Sequence, residues 1–124
     1  MSPLHNSEKT LFRYVNELRQ IQYAHEFISI AFGEDSSTDG TVPEAKDIID
    51  ELKPSGFRNI SFYHFDIGTQ VDGDWEEVHS RVQQYKRRQH IAKARNLLLR
   101  KALTDQDYVL WIDSDIGVLP TDII

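Results

Sequence analysis

Three short runs rich in β-branched and aromatic residues recur along the chain, "EFISIAFGED", "NISFYHF" and "DYVLWID", with segments of helical length between them. That alternation constrains the fold more than any other feature, because strands separated by helices favour a parallel sheet joined by right-handed crossovers. Leu11, Tyr14, Val15 and Leu18 fall at i, i+3, i+4 and i+7, which predicts a helix over about Ser7 to Gln20. Gly40 and Pro54 bracket a second helix from about Val42 to Leu52. A third, from about Glu76 to Leu103, contains no Gly or Pro and ends in an apolar stripe of Leu98, Leu99, Ala102 and Leu103. Asp66 to Asp74, with Gly68 and Gly73 and no period, reads as a surface loop. The predicted order is αβαβαβ, and the near-continuous apolarity of "DYVLWID" predicts a strand with helices covering both its faces.

Such sheets bind ligands beyond the carboxyl ends of their strands. Asp113 and Asp115 end the third run. If the chain stays extended there, a separation of two sends both carboxylates to one side. Like charges held that close call for a bridging cation, and oxygen ligands select a hard one, Mg²⁺ or Mn²⁺. Phosphate oxygens and waters would complete its shell, and the ion would neutralise charge developing on a leaving diphosphate. The bland alternative is a solvated turn in which Asp115 caps the next element.

Two further clusters accompany the aspartates. "EDSSTDGT", Glu34 to Thr41, also follows a strand. Asp35 there could accept hydrogen bonds from a base or ribose, although Ser, Thr and Asp before a helix are equally good caps. Eight of the fourteen Lys and Arg residues lie between Arg81 and Lys101, with no Asp or Glu among them. Arg88 and Arg95, seven residues apart, share one side of the helix and suit a diphosphate, beside Lys86, Arg87 and Lys93. A solvated basic helix face is the alternative. Arg95 sits among Ala92, Ala94, Leu98 and Leu99, where an unpaired guanidinium is costly, so Asp113 or a phosphate is its natural partner. Trp75 and Trp111 read as packing residues, and His5, His64 and His90 show no ligand spacing.

Composition excludes several classes. With 124 residues, 40% of them hydrophobic, the chain holds one modest core. Its net charge of −6 gives no reason to seek nucleic acid or anionic membrane. Without cysteines there are no disulfides or thiolate metal sites. No apolar segment nears the roughly 20 residues that span a bilayer, so the chain as given reads as soluble.

"SPLHN" (Ser2 to Asn6), "EDSSTDGT", "RRQHIAKARNLLLRKAL" (Arg87 to Leu103) and "DYVLWIDSDI" (Asp107 to Ile116), in this order and spacing, resemble the fungal Golgi mannosyltransferases of the mannan polymerase family. "DSSTDGT" and "ARN" are similar to elements of nucleotide-sugar transferases more widely. The resemblance implies an α/β fold of the GT-A, Rossmann-like kind, a mostly parallel sheet with flanking helices. Its nucleotide-sugar-binding half would occupy residues 1–124 as a single incomplete domain truncated at both ends. It implies transfer of mannose from GDP-mannose to a glycan or glycoprotein acceptor with retention, with Mn²⁺ (or Mg²⁺) at the aspartates. It also implies a place in the Golgi lumen for an anchored full-length protein, and related glycosyltransferase subunits as partners.

Carried over by position, Asp115 binds the metal, and Asp113 binds metal or ribose with Ser114 beside it. Ser2, Pro3 and Asp35 line the nucleoside pocket, and Arg88 and Arg95 orient the diphosphate or the acidic motif. The first buried strand, which in the family ends at the "SPLHN" motif, is expected to be missing because only Met1 precedes it. No catalytic nucleophile or base can be named. Two other classes remain open, a metal-dependent nucleotidyltransferase, against which the lack of a Gly-rich phosphate loop counts, and a non-catalytic subunit of a glycosyltransferase complex.

Overall fold

A computed structural model describes residues 1–68 and 81–124. The elements run β1 (Ser2–Leu4), α1 (Glu8–Arg19), β2 (Ser29–Asp35), α2 (Thr41–Leu52), β3 (Asn59–Phe65) and α3 (Arg81–Ala102). Single 3₁₀ turns at His25–Phe27 and Lys53–Ser55 follow α1 and α2. The three strands form one parallel sheet in the order β1-β2-β3. β2 is the spine, paired along its whole length from Ser29↔Asn59 to Asp35↔Phe65 on one side and from Ser2↔Phe32 to Leu4↔Glu34 on the other.

Alternation along β2 divides the core. Ile30 and Phe32 face the layer made by α1 and α2, where Leu11, Tyr14, Val15 and Leu18 meet Ala45, Ile48 and Leu52. The predicted apolar face of α1 is therefore the buried one. Gly33 faces the other way, toward α3, and its lack of a side chain has a steric cause. A Cβ there would stand 2.9 Å from Leu98 Cδ2 and 3.0 Å from Phe65 Cε2. Small residues at Ala31 and Gly33 thus let α3 lie close against the strands it crosses.

Two sequence expectations need correcting. The strand expected to be missing exists as β1, three residues long and paired with the carboxyl half of β2. The third predicted strand, "DYVLWID", is not one: residues 108–112 form no ladder beyond Met1, whose amino group donates to the Leu110 carbonyl (2.7 Å) and whose carbonyl accepts from the Ile112 amide (3.1 Å). Nor do helices cover both faces of this run, since Tyr108 is 92% exposed. The run lies alongside only the head of a very short β1, too little neighbouring backbone for a ladder. The observed order is accordingly βαβαβα. Of the predicted loop, Asp66 to Gly68 are described, with Gly68 at φ 72°; residues 69–74, Trp75 and the predicted helical start at 76–80 lie outside the described residues.

Candidate functional site

The carboxyl ends of β1 and β2 turn sharply, and both turns use left-handed backbone outside glycine, Asn6 at φ 48° and Ser36 at φ 50°. Asn tolerates that conformation; for Ser it costs free energy, which the surrounding hydrogen bonds must offset. Those bonds are numerous. Asn6 Oδ1 accepts from the Thr38 amide (2.8 Å), the Asn6 amide donates to Ser37 Oγ (3.0 Å), and the Ser7 amide donates to Thr41 Oγ1 (2.7 Å). Asp39 accepts from the Glu8 and Thr41 amides and the Thr41 hydroxyl, while Glu8 Oε2 accepts from the Gly40 amide (3.0 Å). Burial opposes ionisation of Asp39, but these donors outweigh it and hold its carboxyl below the usual range. Much of "EDSSTDGT" therefore serves as capping and loop closure.

Glu34 and Asp35 leave the same strand on opposite faces. Glu34 is fully buried; its carboxylate accepts from the Ser37 amide (2.7 Å) and from Nδ1 of His64, its register partner on β3. Asp35 is held from three directions. The Ile67 amide donates to Oδ1 (2.8 Å), as does the Ser36 hydroxyl (3.0 Å), and His90 Nε2 on α3 donates to Oδ2. Desolvation raises the Asp35 pKa, yet the Ile67 amide, His90 and Ser36 together bring it below the carboxylate norm. The Asp35 carbonyl also accepts from His5 Nδ1 (2.8 Å), tying the turn after β1 to the end of β2.

The acidic motif lies on a turn. The Ile116 amide donates to the Asp113 carbonyl (3.3 Å), so the chain bends through Ser114 and Asp115 instead of remaining extended as the spacing argument required. Buried Ser114 donates from Oγ to Ser7 Oγ (3.0 Å), which fastens the turn to the exit of β1. Asp113 and Asp115 are both exposed. Arg95 Nη2 donates to Asp113 Oδ1 (2.8 Å) and its guanidinium lies 5.6 Å from the centroid of the Trp111 ring. Arg95 Nε is buried without a partner among the described residues. Arg88, Arg95, Asn96 and Trp111 line a shallow cleft of about 470 Å³.

The positions inferred from the sequence therefore behave differently. Arg88, Arg95 and Trp111 come together, and Arg95 meets the anticipated Asp113. Ser2 turns its hydroxyl into the core, against that of Tyr14, leaving Pro3 the more open of the two. Burial pushes the Tyr14 hydroxyl up to about 12, partly offset by Ser2 and reinforced by the charge on Asp113. Histidine spacing missed His64 and His90, because their partners Glu34 and Asp35 are carboxylates on β2, a different element from the strand of His64 and the helix of His90; the Glu34↔His64 register is a tertiary fact. Among the described residues no three His, Asp or Glu side chains gather as a cation site. The oxygen donors Asp113 and Asp115 fit a hard divalent ion that takes its remaining ligands from phosphate and water.

The three-stranded parallel sheet flanked by helices, with its polar turns at one end, has the GT-A fold, because solved structures of that fold superpose on it. S. aureus TarS residues 1–349 in complex with UDP matches 93% of this chain and 26% of its own at TM-score 0.60 and 20% identity; the complex with UDP-GlcNAc matches 92% and 25% at 0.59 and 20%. The Anp1 family model matches residues 1–124, and the chain belongs to the Anp1 family. It is 27% identical to the mannan polymerase II complex anp1 subunit of Schizosaccharomyces pombe and 29% identical to the ANP1 subunit of Saccharomyces cerevisiae, over 99% and 98% of its length. It spans only 30% and 26% of those relatives.

Proposed function

We propose that this chain is the nucleotide-sugar-binding part of a glycosyltransferase, taking GDP-mannose with Mn²⁺ or Mg²⁺ and serving mannosyl transfer, with retention, to a glycan or glycoprotein acceptor. The observation that carries the reading is the Arg95–Asp113 ion pair beside Trp111 and Arg88, next to the exposed turn that bears Asp115. It places a planar cation, a basic neighbour and two oxygen donors at the open end of the sheet. A divalent ion there would supply Lewis-acid neutralisation of the leaving diphosphate. Asp113 and Asp115 would hold it, Arg95 keeps Asp113 in place, and Arg88 adds positive charge along the cleft. Ser114 anchors the turn through Ser7, and Pro3 and the turns after β1 and β2, held together at Asp35, take the nucleoside. Membership of a family whose yeast relatives are named as mannan polymerase complex subunits supports mannose, the Golgi and assembly with related subunits.

Calorimetric titration of GDP, UDP and GDP-mannose, with and without Mn²⁺, tests this. Metal-dependent binding that prefers GDP is the expected result. Metal-dependent preference for UDP would discard mannose while keeping the reaction class, and no nucleotide affinity in the folded chain would favour a non-catalytic subunit.

A further inference from the structure

Asp35 lies at a junction that none of the roles so far assigned to it explains. Among the described residues its carboxylate has three donors, the Ile67 amide after β3, the Ser36 hydroxyl and His90 on α3, and its carbonyl takes a fourth from His5 after β1. Its side chain is 4% exposed and that of His90 is 16% exposed, so the pair is largely shielded from competing water. A carboxylate offers about four lone-pair positions, and three are taken. Asp35 therefore has little capacity left for a ligand and much for holding the strand ends in register.

His90 connects that junction to the other half of the site. It stands two residues after Arg88 and five before Arg95 on the same uninterrupted helix. A helix is stiff over such a distance. Fixing His90 against Asp35 therefore fixes where the two arginines stand relative to the turns after β1 and β3.

We propose that His90 is a positioning residue: by clamping Asp35 it locks the nucleoside end of the site to the basic helix, so that nucleoside and diphosphate are held at one set spacing. This rests on the nucleotide-sugar reading above. It extends that reading to a histidine outside the aspartate motif, and it makes the Asp35–His90 pair, not Asp35 alone, the functional unit. A linker of this kind acts on the bivalent ligand. GDP must satisfy both ends at once and benefits from preorganisation, whereas inorganic pyrophosphate uses only the arginine end.

The experiment compares the wild-type chain with His90→Ala and His90→Gln, the latter keeping an N–H donor at a similar reach. Two readouts are taken, amide hydrogen exchange without ligand and calorimetric affinity for GDP and for pyrophosphate in Mn²⁺. His90→Ala is expected to expose the Ile67 amide to exchange while β3 amides stay protected. It should weaken GDP at least about tenfold, the effect of one charge-assisted hydrogen bond, and change pyrophosphate by less than about twofold. His90→Gln should restore both readouts. Unchanged Ile67 protection in His90→Ala, or equal loss of GDP and pyrophosphate, overturns the proposal. A wild-type chain that binds neither ligand overturns the nucleotide reading and the functional half of this inference, while the exchange result still decides whether His90 holds Asp35. Should His90→Ala fail to fold, Asp35→Asn is read by the same exchange measurement, with Ile67 deprotection supporting the clamp and retained protection refuting it.

Discussion

Two acidic motifs lie at the same end of the sheet, and their carboxylates have opposite situations. Glu34 and Asp35 are buried and hydrogen-bonded by protein donors, whereas Asp113 and Asp115 are exposed, with Arg95 bonded to one of them. Desolvation is the difference. A buried carboxylate survives only if the fold supplies its hydrogen bonds, and a group so supplied has little left for a ligand. An exposed pair keeps water in its shell and can exchange it for a cation or phosphate. The first motif therefore builds the site and the second is the one open to chemistry.

The sharpest break of that comparison is Glu34→Ala. It orphans the Ser37 amide and leaves a buried cavity, so urea denaturation should show a loss of about 2–4 kcal/mol. A loss below 1 kcal/mol would mean that the buried acid is not structural.

Arg95→Ala should cost about 1 kcal/mol, since its ion pair is partly exposed, yet it frees Asp113. Arg95→Lys should recover little, because an ammonium cannot reproduce the guanidinium's bond to Asp113 together with its place 5.6 Å from the Trp111 ring centroid. Equal metal-dependent GDP affinity in Arg95→Ala and wild type would remove Arg95 from the site. Asp115→Ala should change stability by less than about 0.5 kcal/mol while removing the Mn²⁺ dependence of GDP binding. A wild-type metal response in that variant excludes the aspartate assignment. The lowered carboxylates Asp35 and Asp39 contribute to the acid limb: their stabilisation is complete above the ordinary aspartate pKa and is lost as pH falls through their lower folded values. Asp35→Asn should blunt that limb, measured as the unfolding midpoint against pH, and an unaltered limb would place the lost protons elsewhere.

Local pattern determined most of the elements. The i, i+3, i+4, i+7 face placed α1, Gly40 and Pro54 bracketed α2, and "NISFYHF" marked β3 to the residue, because periodicity, capping and β-branching act over a few neighbours. The sequence also picked out Arg95 as a cation near the packed side in need of an acid, and Asp113 is that acid. It misjudged "DYVLWID" because apolarity measures a wish for burial, whereas a strand needs a neighbouring backbone of sufficient length, and β1 offers three residues. Whether Glu34, Asp35, Asp113 and Asp115 are structural or available was likewise beyond it. That depends on burial and on donors contributed by His64, Ile67 and His90, residues 30 to 55 positions away. A carboxylate's chemistry is set by what surrounds it, and only the tertiary structure brings those surroundings together.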